Sequence, residues 1–314
     1  MRLFKKRFKK GAKKKRGPSA LCAPEPEPEP RLQPIPWGIE RIQVPSAWAT
    51  NTADPIKVGI IDTGISRSHP DLSANLKGCV SFVRRARNCE DDNGHGSHVA
   101  SIVSAVNDSD GVVGAAPAAD LYAIKALDHS GSGWLSDIIA ALDYAIEEKI
   151  QILNLSLGTT SDVAAFKDAI QRAASAGITL VAAAGNNGSS VNYPAAYPEV
   201  IAVSATDENN NLASFSSRGS AIDLAAPGVS IYSSYKRNGY ATLSGTSMAA
   251  PHVAAALALL LNSPVGSADN NLDGNWNAEE LLAQLKKTAT DLGAIGIDPL
   301  FGAGLVNVAA ALGL

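Results

Sequence analysis

Val58-Gly59-Ile60-Ile61-Asp62-Thr63-Gly64 is a near-continuous apolar run that closes on an acid and a turn. Lys57–Ile61 therefore reads as a strand, and Asp120–Lys125, Ile152–Leu155, Thr179–Ala184 and Val200–Ser204 are of the same kind. Between them Gly96–Ala105, Leu135–Lys149 and Val163–Ala176 carry apolar residues at helical spacing. Strands without a polar face, alternating with helices, predict a parallel sheet covered on both sides. The expected class is α/β, three-layered as α/β/α with a mainly parallel central sheet. In such sheets the active site lies at the carboxyl ends of the strands, so the polar residues ending each run carry the functional question.

Outside this alternation the chain changes character only at its start. Residues 1–16 hold ten of the 27 Lys and Arg and no acid, which leaves 17 bases against 30 acids in the remainder. The formal net charge of −3 thus joins a basic arm to an acidic body, and an acidic body does not suit nucleic acid. Pro24–Pro30 alternates Pro with Glu and reads as an extended spacer. Residues 1–34 are expected to be a disordered arm and linker, and residues 35–314 one catalytic domain, monomeric. No apolar run is long enough to span a membrane, and Gly17–Ala23 is too short and weakly apolar for a secretory signal.

Four segments carry chemistry. Asp62 ends the first strand; alone it also fits an aspartic protease, which would need a second such motif, or an Asx turn. His95 stands in Asn93-Gly94-His95-Gly96-Ser97-His98, where a glycine loop opens a helix. His95 and His98 are alternatively metal ligands, although no Glu follows at the zincin spacing. Ser247 lies in Ser244-Gly245-Thr246-Ser247-Met248-Ala249-Ala250-Pro251, before the apolar helix Val253–Leu261, where a helix-capping serine would also fit. Asn186 ends the apolar run Val181–Ala184 in Gly185-Asn186-Asn187-Gly188. It is either a turn residue or an amide donor to a developing oxyanion.

In the order Asp, His, Asn, Ser these segments resemble the subtilisin-like (S8) serine peptidases, from about Gln33 to Leu314 and including His69-Pro70-Asp71-Leu72 and Ala226-Pro227-Gly228-Val229. The departures are Ser97, where Thr is usual, and Ser244, where Asn is frequent. The resemblance implies a serine endopeptidase acting on polypeptides, with Asp62, His95 and Ser247 as triad and Asn186 as oxyanion donor. It places an extended substrate between Ser130–Gly133 (Gly131 and Gly133 offering backbone groups) and Leu155–Gly158. The first specificity pocket would be walled by Ser156, Leu157, Gly158 and Ala183–Gly185, with Asn192 near its base. No charge stands at those positions, so apolar or neutral P1 residues are expected. The family's prodomain has no counterpart in residues 1–34, which are too short and lack an apolar pattern. Family habit suggests export, whereas the missing signal suggests the cytoplasm.

Calcium enters twice. By resemblance, Gln33, Asp71 and the loop with Val106, Asp108, Asp110 and Val112 form a structural Ca2+ site. Independently, Asp269-Asn270-Asn271-Leu272-Asp273-Gly274-Asn275-Trp276-Asn277-Ala278-Glu279-Glu280 matches an EF-hand loop, with Asp269, Asn271, Asp273, Asn275 and Glu280 as ligands. Asn277 with Glu280 also forms a capping-box pattern. Cys79 and Cys89 bracket Arg84-Arg85-Ala86-Arg87; a disulfide there would hold a surface loop, and two free thiols are the alternative.

Overall fold

A computed structural model describes residues 33–314. The basic segment, the Pro-Glu spacer and Cys22 lie outside the described residues. Seven strands form one sheet in the order β2-β3-β1-β4-β5-β6-β7: β1 Lys57–Asp62, β2 Leu76–Ser81, β3 Asp120–Lys125, β4 Ile152–Leu155, β5 Thr179–Ala183, β6 Val200–Thr206 and β7 Leu224–Pro227. Every pairing within it is parallel. β8 Ile231–Tyr235 and β9 Gly239–Leu243 form a separate antiparallel hairpin. The helices are α1 Trp37–Arg41, α2 Pro70–Ser73, α3 His95–Ser104, α4 Leu135–Glu147, α5 Ala164–Ser175, α6 Thr246–Leu261, α7 Ala278–Thr288 and α8 Val308–Leu312.

Side chains alternate across a strand, and here the two faces feed two cores. Val58 and Ile60 pack with Val99 of α3 and Val253 and Leu257 of α6. Ile61 and Leu153 pack on the other face with Leu142 of α4 and Phe166 of α5. Burying each such side chain contributes about 1.5–3 kcal/mol, and the absence of a polar face on β1 follows from being covered twice. α6 is apolar nearly all round, as a core helix should be; only Ser247 and Leu261 of its residues escape full burial.

The three-layer expectation holds, and most strand and helix limits agree to within a residue or two; α6 is the exception, starting at Thr246, seven residues before the expected Val253, and running on through Pro251. β2, β7 and the hairpin are not anticipated from the sequence. β2 is an edge strand with only partial burial, so Lys77 and Gly78 break its apolar pattern. β7 has four residues and ends on Pro227, which a sheet tolerates at an edge. Cys79 of β2 and Cys89 are disulfide-bonded, their Cα atoms 5.3 Å apart.

Candidate active site

Asp62 ends β1 fully buried, and both its carboxylate oxygens face Nδ1 of His95, at 2.8 and 2.9 Å. Nδ1 carries the proton in that bond, because an ionised carboxylate only accepts, and Nε2 is left toward solvent as a base. The approach depends on glycine. A Cβ on Gly96 would lie 2.1 Å from the Gly64 carbonyl and 3.1 Å from Asp62 Cβ, so α3 meets the strand end only through that residue. Gly94, immediately before the helix, has φ 112°, a conformation open to glycine at little cost.

A second carboxylate, missed by the sequence reading, holds this turn. Asp91 is buried and accepts from Thr63 Oγ1 (2.9 Å), Asn93 N (3.0 Å), Gly94 N (2.7 Å), Ser97 N (2.9 Å) and Ser97 Oγ (2.6 Å). The Ser97 hydroxyl, the departure noted above, is one of these donors. Burial pulls the His95 pKa down. The charge and hydrogen bond of Asp62 and the charge of Asp91 outweigh it, so the net shift is upward. Asp91→Asn removes one of those charges. A base must be neutral, so the acid limb of kcat/KM is expected to move to lower pH in that variant; an unmoved or upward-moved limb would count against the assignment.

His98 is not a partner of His95 in metal binding. It is fully buried, its Nε2 donates to the carbonyls of Ile231 (3.0 Å) and Ala241 (3.2 Å), and burial lowers its pKa to about 4. It stays neutral and joins α3 to the hairpin.

Ser247 opens α6, and its setting follows from Pro251 four residues on. Proline has no N–H to give the Ser247 carbonyl, and the Ser156 hydroxyl supplies the missing donor at 2.8 Å. In return Ser247 Oγ donates to the Ser156 carbonyl at 3.2 Å. The end of β4 and the start of α6 are thereby clasped together. Ser247 makes no hydrogen bond to His95 in this arrangement, so the pair expected from the triad is only half formed. Asn186, exposed after β5, accepts at Oδ1 from Thr246 N and Thr246 Oγ1, both at 2.9 Å. Those donors set the amide's orientation. Its NH2 makes no hydrogen bond among the described residues and stands beside Gly245, whose added Cβ would lie 3.4 Å from Nδ2.

One cleft is lined by Thr63, Asn93 and His95, by Ser130–Gly133, and by Ser156–Thr159. Gly131 C=O and Gly133 N–H have no backbone partner among the described residues. The cleft floor is apolar, from Leu127, Leu135, Ile138, Val163 and Phe166. The sequence offers Leu135, Ile138, Val163 and Phe166 only as helix positions and gives no reading of Leu127, because nothing in a periodic pattern marks which end of a helix opens onto a groove. Gly158, Gly185 and Asn192 meet. A Cβ on Gly185 would lie 2.7 Å from Asn192 Nδ2, and one on Gly158 3.3 Å from Asn192 Cβ. Thr159 and Tyr193 exchange backbone hydrogen bonds at 2.8 Å, closing the pocket's side, and Ala183 stands buried in its wall. The Leu155 side chain is wholly buried in the core with α4 and α5, so of this residue only backbone groups are left for the groove.

The six residues of the first calcium expectation surround one loop. Gln33 Nε2 donates to the carbonyls of Val106 (3.0 Å) and Asp110, and its Oε1 accepts from Asp108 N at 3.2 Å. Asp71 accepts from Val112 N at 3.1 Å, Ser234 Oγ at 2.8 Å and Tyr240 OH at 3.2 Å. Carbonyl oxygens converging on the positive end of an amide, with Asp71 and Asp108 adjacent, are the hard-oxygen donor set that suits Ca2+. Among the described residues no three His, Cys, Asp or Glu gather to hold a metal, so carbonyl and amide oxygens would complete any such site.

The EF-hand expectation meets a different geometry. Glu280 is buried, one carboxylate oxygen accepting from Asn270 N (2.8 Å) and the other from Asn277 N (3.2 Å), while Asn277 Oδ1 accepts from Glu280 N at 3.0 Å. This is the capping box of α7, and it occupies the residue needed as closing ligand. Asp269 accepts from Asp273 N and Gly274 N, Asn271 from Asp273 N, and Asp273 from Asn275 N, which are turn contacts.

A strand-end acid paired with a helix-start histidine, a serine opening the next buried helix and an amide between them describe one class of hydrolase. The profile of the Subtilase family matches residues 53–304. The chain belongs to that family and is a serine-type endopeptidase. It is 46% identical to Subtilisin Savinase of Lederbergia lenta over 281 residues, covering 89% of this chain and 99% of the relative. To an alkaline protease of Shouchella clausii it is 46% identical, covering 89% of this chain and 70% of the relative. Subtilisin DY of Bacillus licheniformis is 45% identical over 285 residues, again with 89% and 99% coverage.

Proposed function

We propose that Asp62, His95 and Ser247 form the catalytic triad and that Asn186 with the Ser247 backbone N–H binds the oxyanion. The observation that carries this reading is the buried Asp62–His95 pair, 2.8 Å apart, with His95 on the cleft that is also lined by Ser156, the residue with which Ser247 exchanges hydrogen bonds. For reaction the Ser247 hydroxyl turns from the Ser156 carbonyl to His95 Nε2, a rotation about one bond; such contacts tighten when substrate binds. Ser247 Oγ attacks the scissile carbonyl and its proton passes to His95. Asp62 stabilises the resulting imidazolium, and His95 returns the proton to the leaving amine. Water then cleaves the acyl-enzyme by the same proton path. Labelling by a fluorophosphonate, argued below, is the direct test.

Polypeptide substrate adds as a strand along Gly131–Gly133 and the end of β4. The wall around Gly158, Gly185 and Asn192 holds no charge, which supports apolar or neutral side chains at P1. Cleavage-site profiling on a proteome-derived peptide library should show that preference; predominance of Asp, Glu, Lys or Arg at P1 would reject it.

We also propose one structural calcium ion rather than two, held by Gln33, Asp71, Asp108 and the carbonyls of the 106–112 loop. When bound, the ion would cross-link the segment at Gln33 to the segments after β1 and α3. Calcium titration of the Ser247→Ala protein by calorimetry should find one strong event, lost in Asp71→Asn and kept in Glu280→Gln. Loss in Glu280→Gln would restore the EF-hand reading.

A further inference from the structure

We propose that the disulfide-closed loop carrying Arg84, Arg85 and Arg87 is a specificity element that selects substrates bearing acidic residues upstream of the scissile bond. The inference rests on the substrate path proposed above. A second cleft adjoins the first and shares its wall: Ser132 and Gly133 line both, and Arg84, Arg85 and Trp134 line the second. A peptide held along one side of Ser130–Gly133 therefore passes beside the arginines once it clears the apolar floor at Leu135. Trp134, 77% exposed, forms the apolar side of that exit.

The three arginines are exposed and enter no ion pair or side-chain hydrogen bond among the described residues. Three acids share the second cleft, and each is engaged elsewhere. Asp92 pairs with Lys125 at 2.7 Å. Asp128 accepts from Ser130 N, Ser130 Oγ and Ser132 N. Asp137 lies in the first turn of α4, favourable for an acid, and accepts from Ser136 Oγ. All three acids are thus held by partners of their own, whereas the guanidinium groups stay free to meet a carboxylate, which they match in geometry.

The loop is also fixed in place, which a recognition element requires. The disulfide closes it, Ala86 N donates to Val83 O at 3.0 Å, and Ile65 N donates to Cys89 O at 2.9 Å. Cys89 itself is buried against the turn after Asp62, where a Cβ on Gly64 would lie 2.3 Å from its carbonyl. Arg85 sits at φ 73°, a left-handed conformation that for a non-glycine side chain requires support from its surroundings.

The experiment uses quenched fluorescent peptides with one neutral cleavage sequence, preceded by three Glu, three Gln or three Lys at P5–P7, or followed by three Glu. Exposed pairs are individually weak, so at low ionic strength kcat/KM should favour the upstream Glu peptide over the Gln peptide by about three- to tenfold, with Lys below Gln. The ratio should fall toward one at high salt, where screening is short-ranged. It should also fall in the protein carrying Arg84→Gln, Arg85→Gln and Arg87→Gln, with turnover of the Gln peptide unchanged. A wild-type ratio near one, an equal gain from downstream Glu, or a ratio that survives the triple substitution would overturn the proposal. Failure to cleave any of the peptides would instead indict the proteolytic reading itself.

Discussion

Ser247→Ala is expected to lower kcat by about 10⁶, the magnitude known for the nucleophile in subtilisins themselves, while leaving the fold intact. The argument for an intact fold is local. Ser247 is one of two residues of α6 that escape full burial, and its hydroxyl makes a single 3.2 Å bond to the Ser156 carbonyl. The reciprocal bond, Ser156 Oγ to the Ser247 carbonyl at 2.8 Å, survives the substitution, so the clasp between β4 and α6 persists. A fluorophosphonate should label the wild type at Ser247 and leave the Ala variant unlabelled, with identical circular dichroism and melting. Labelling of the variant, or an unlabelled but chelator-sensitive wild type, would defeat the triad.

Asn186→Ala should cost about 10²–10³ in kcat with KM nearly unchanged, the range that loss of an oxyanion donor produces in subtilisins. The side chain plays two parts that the experiment must separate. Its Oδ1 accepts two hydrogen bonds from Thr246, while its NH2 has no partner among the described residues. Asn186→Asp keeps the acceptor but replaces the donor with an anion, so it should be at least as inactive as Ala despite retaining the Thr246 contacts. Activity near wild type in the Asp variant would mean that the residue positions Thr246 and does not meet the oxyanion.

Much of the fold was legible because it rests on local pattern. β1 and β4 are buried along nearly all their length, so their runs are apolar but for the buried Asn154, and the limits of β1, β3 and β4 could be read to a residue. β2 lies at an edge with partial burial, where the pattern dissolves, and β7, although buried, has only four residues and ends on a proline. The residues proposed to react were legible for a related reason: a parallel sheet gathers the ends of its strands, so Asp62 and Asn186 stand out as polar residues where apolar strands stop, and His95 and Ser247 as polar residues where buried helices start. Asp91 was not legible, since an acid in a glycine-rich turn looks like any solvated loop acid until five donors are seen around it.

By itself the amino-acid order determined the layered α/β class, the chemistry-bearing residues and the existence of a cysteine-bracketed arginine loop. Each of these is written in spacing along the chain. Tertiary structure decided what depends on distance through space. It placed the Glu280 carboxylate in a helix cap, where the backbone N–H groups of Asn270 and Asn277 reach it. It turned the Leu155 side chain into the core and brought Arg84 and Arg85 to a cleft shared with Ser132 and Gly133. It also gave Ser156 the Ser247 carbonyl, an acceptor freed by Pro251, which lacks the N–H that a helix would otherwise supply.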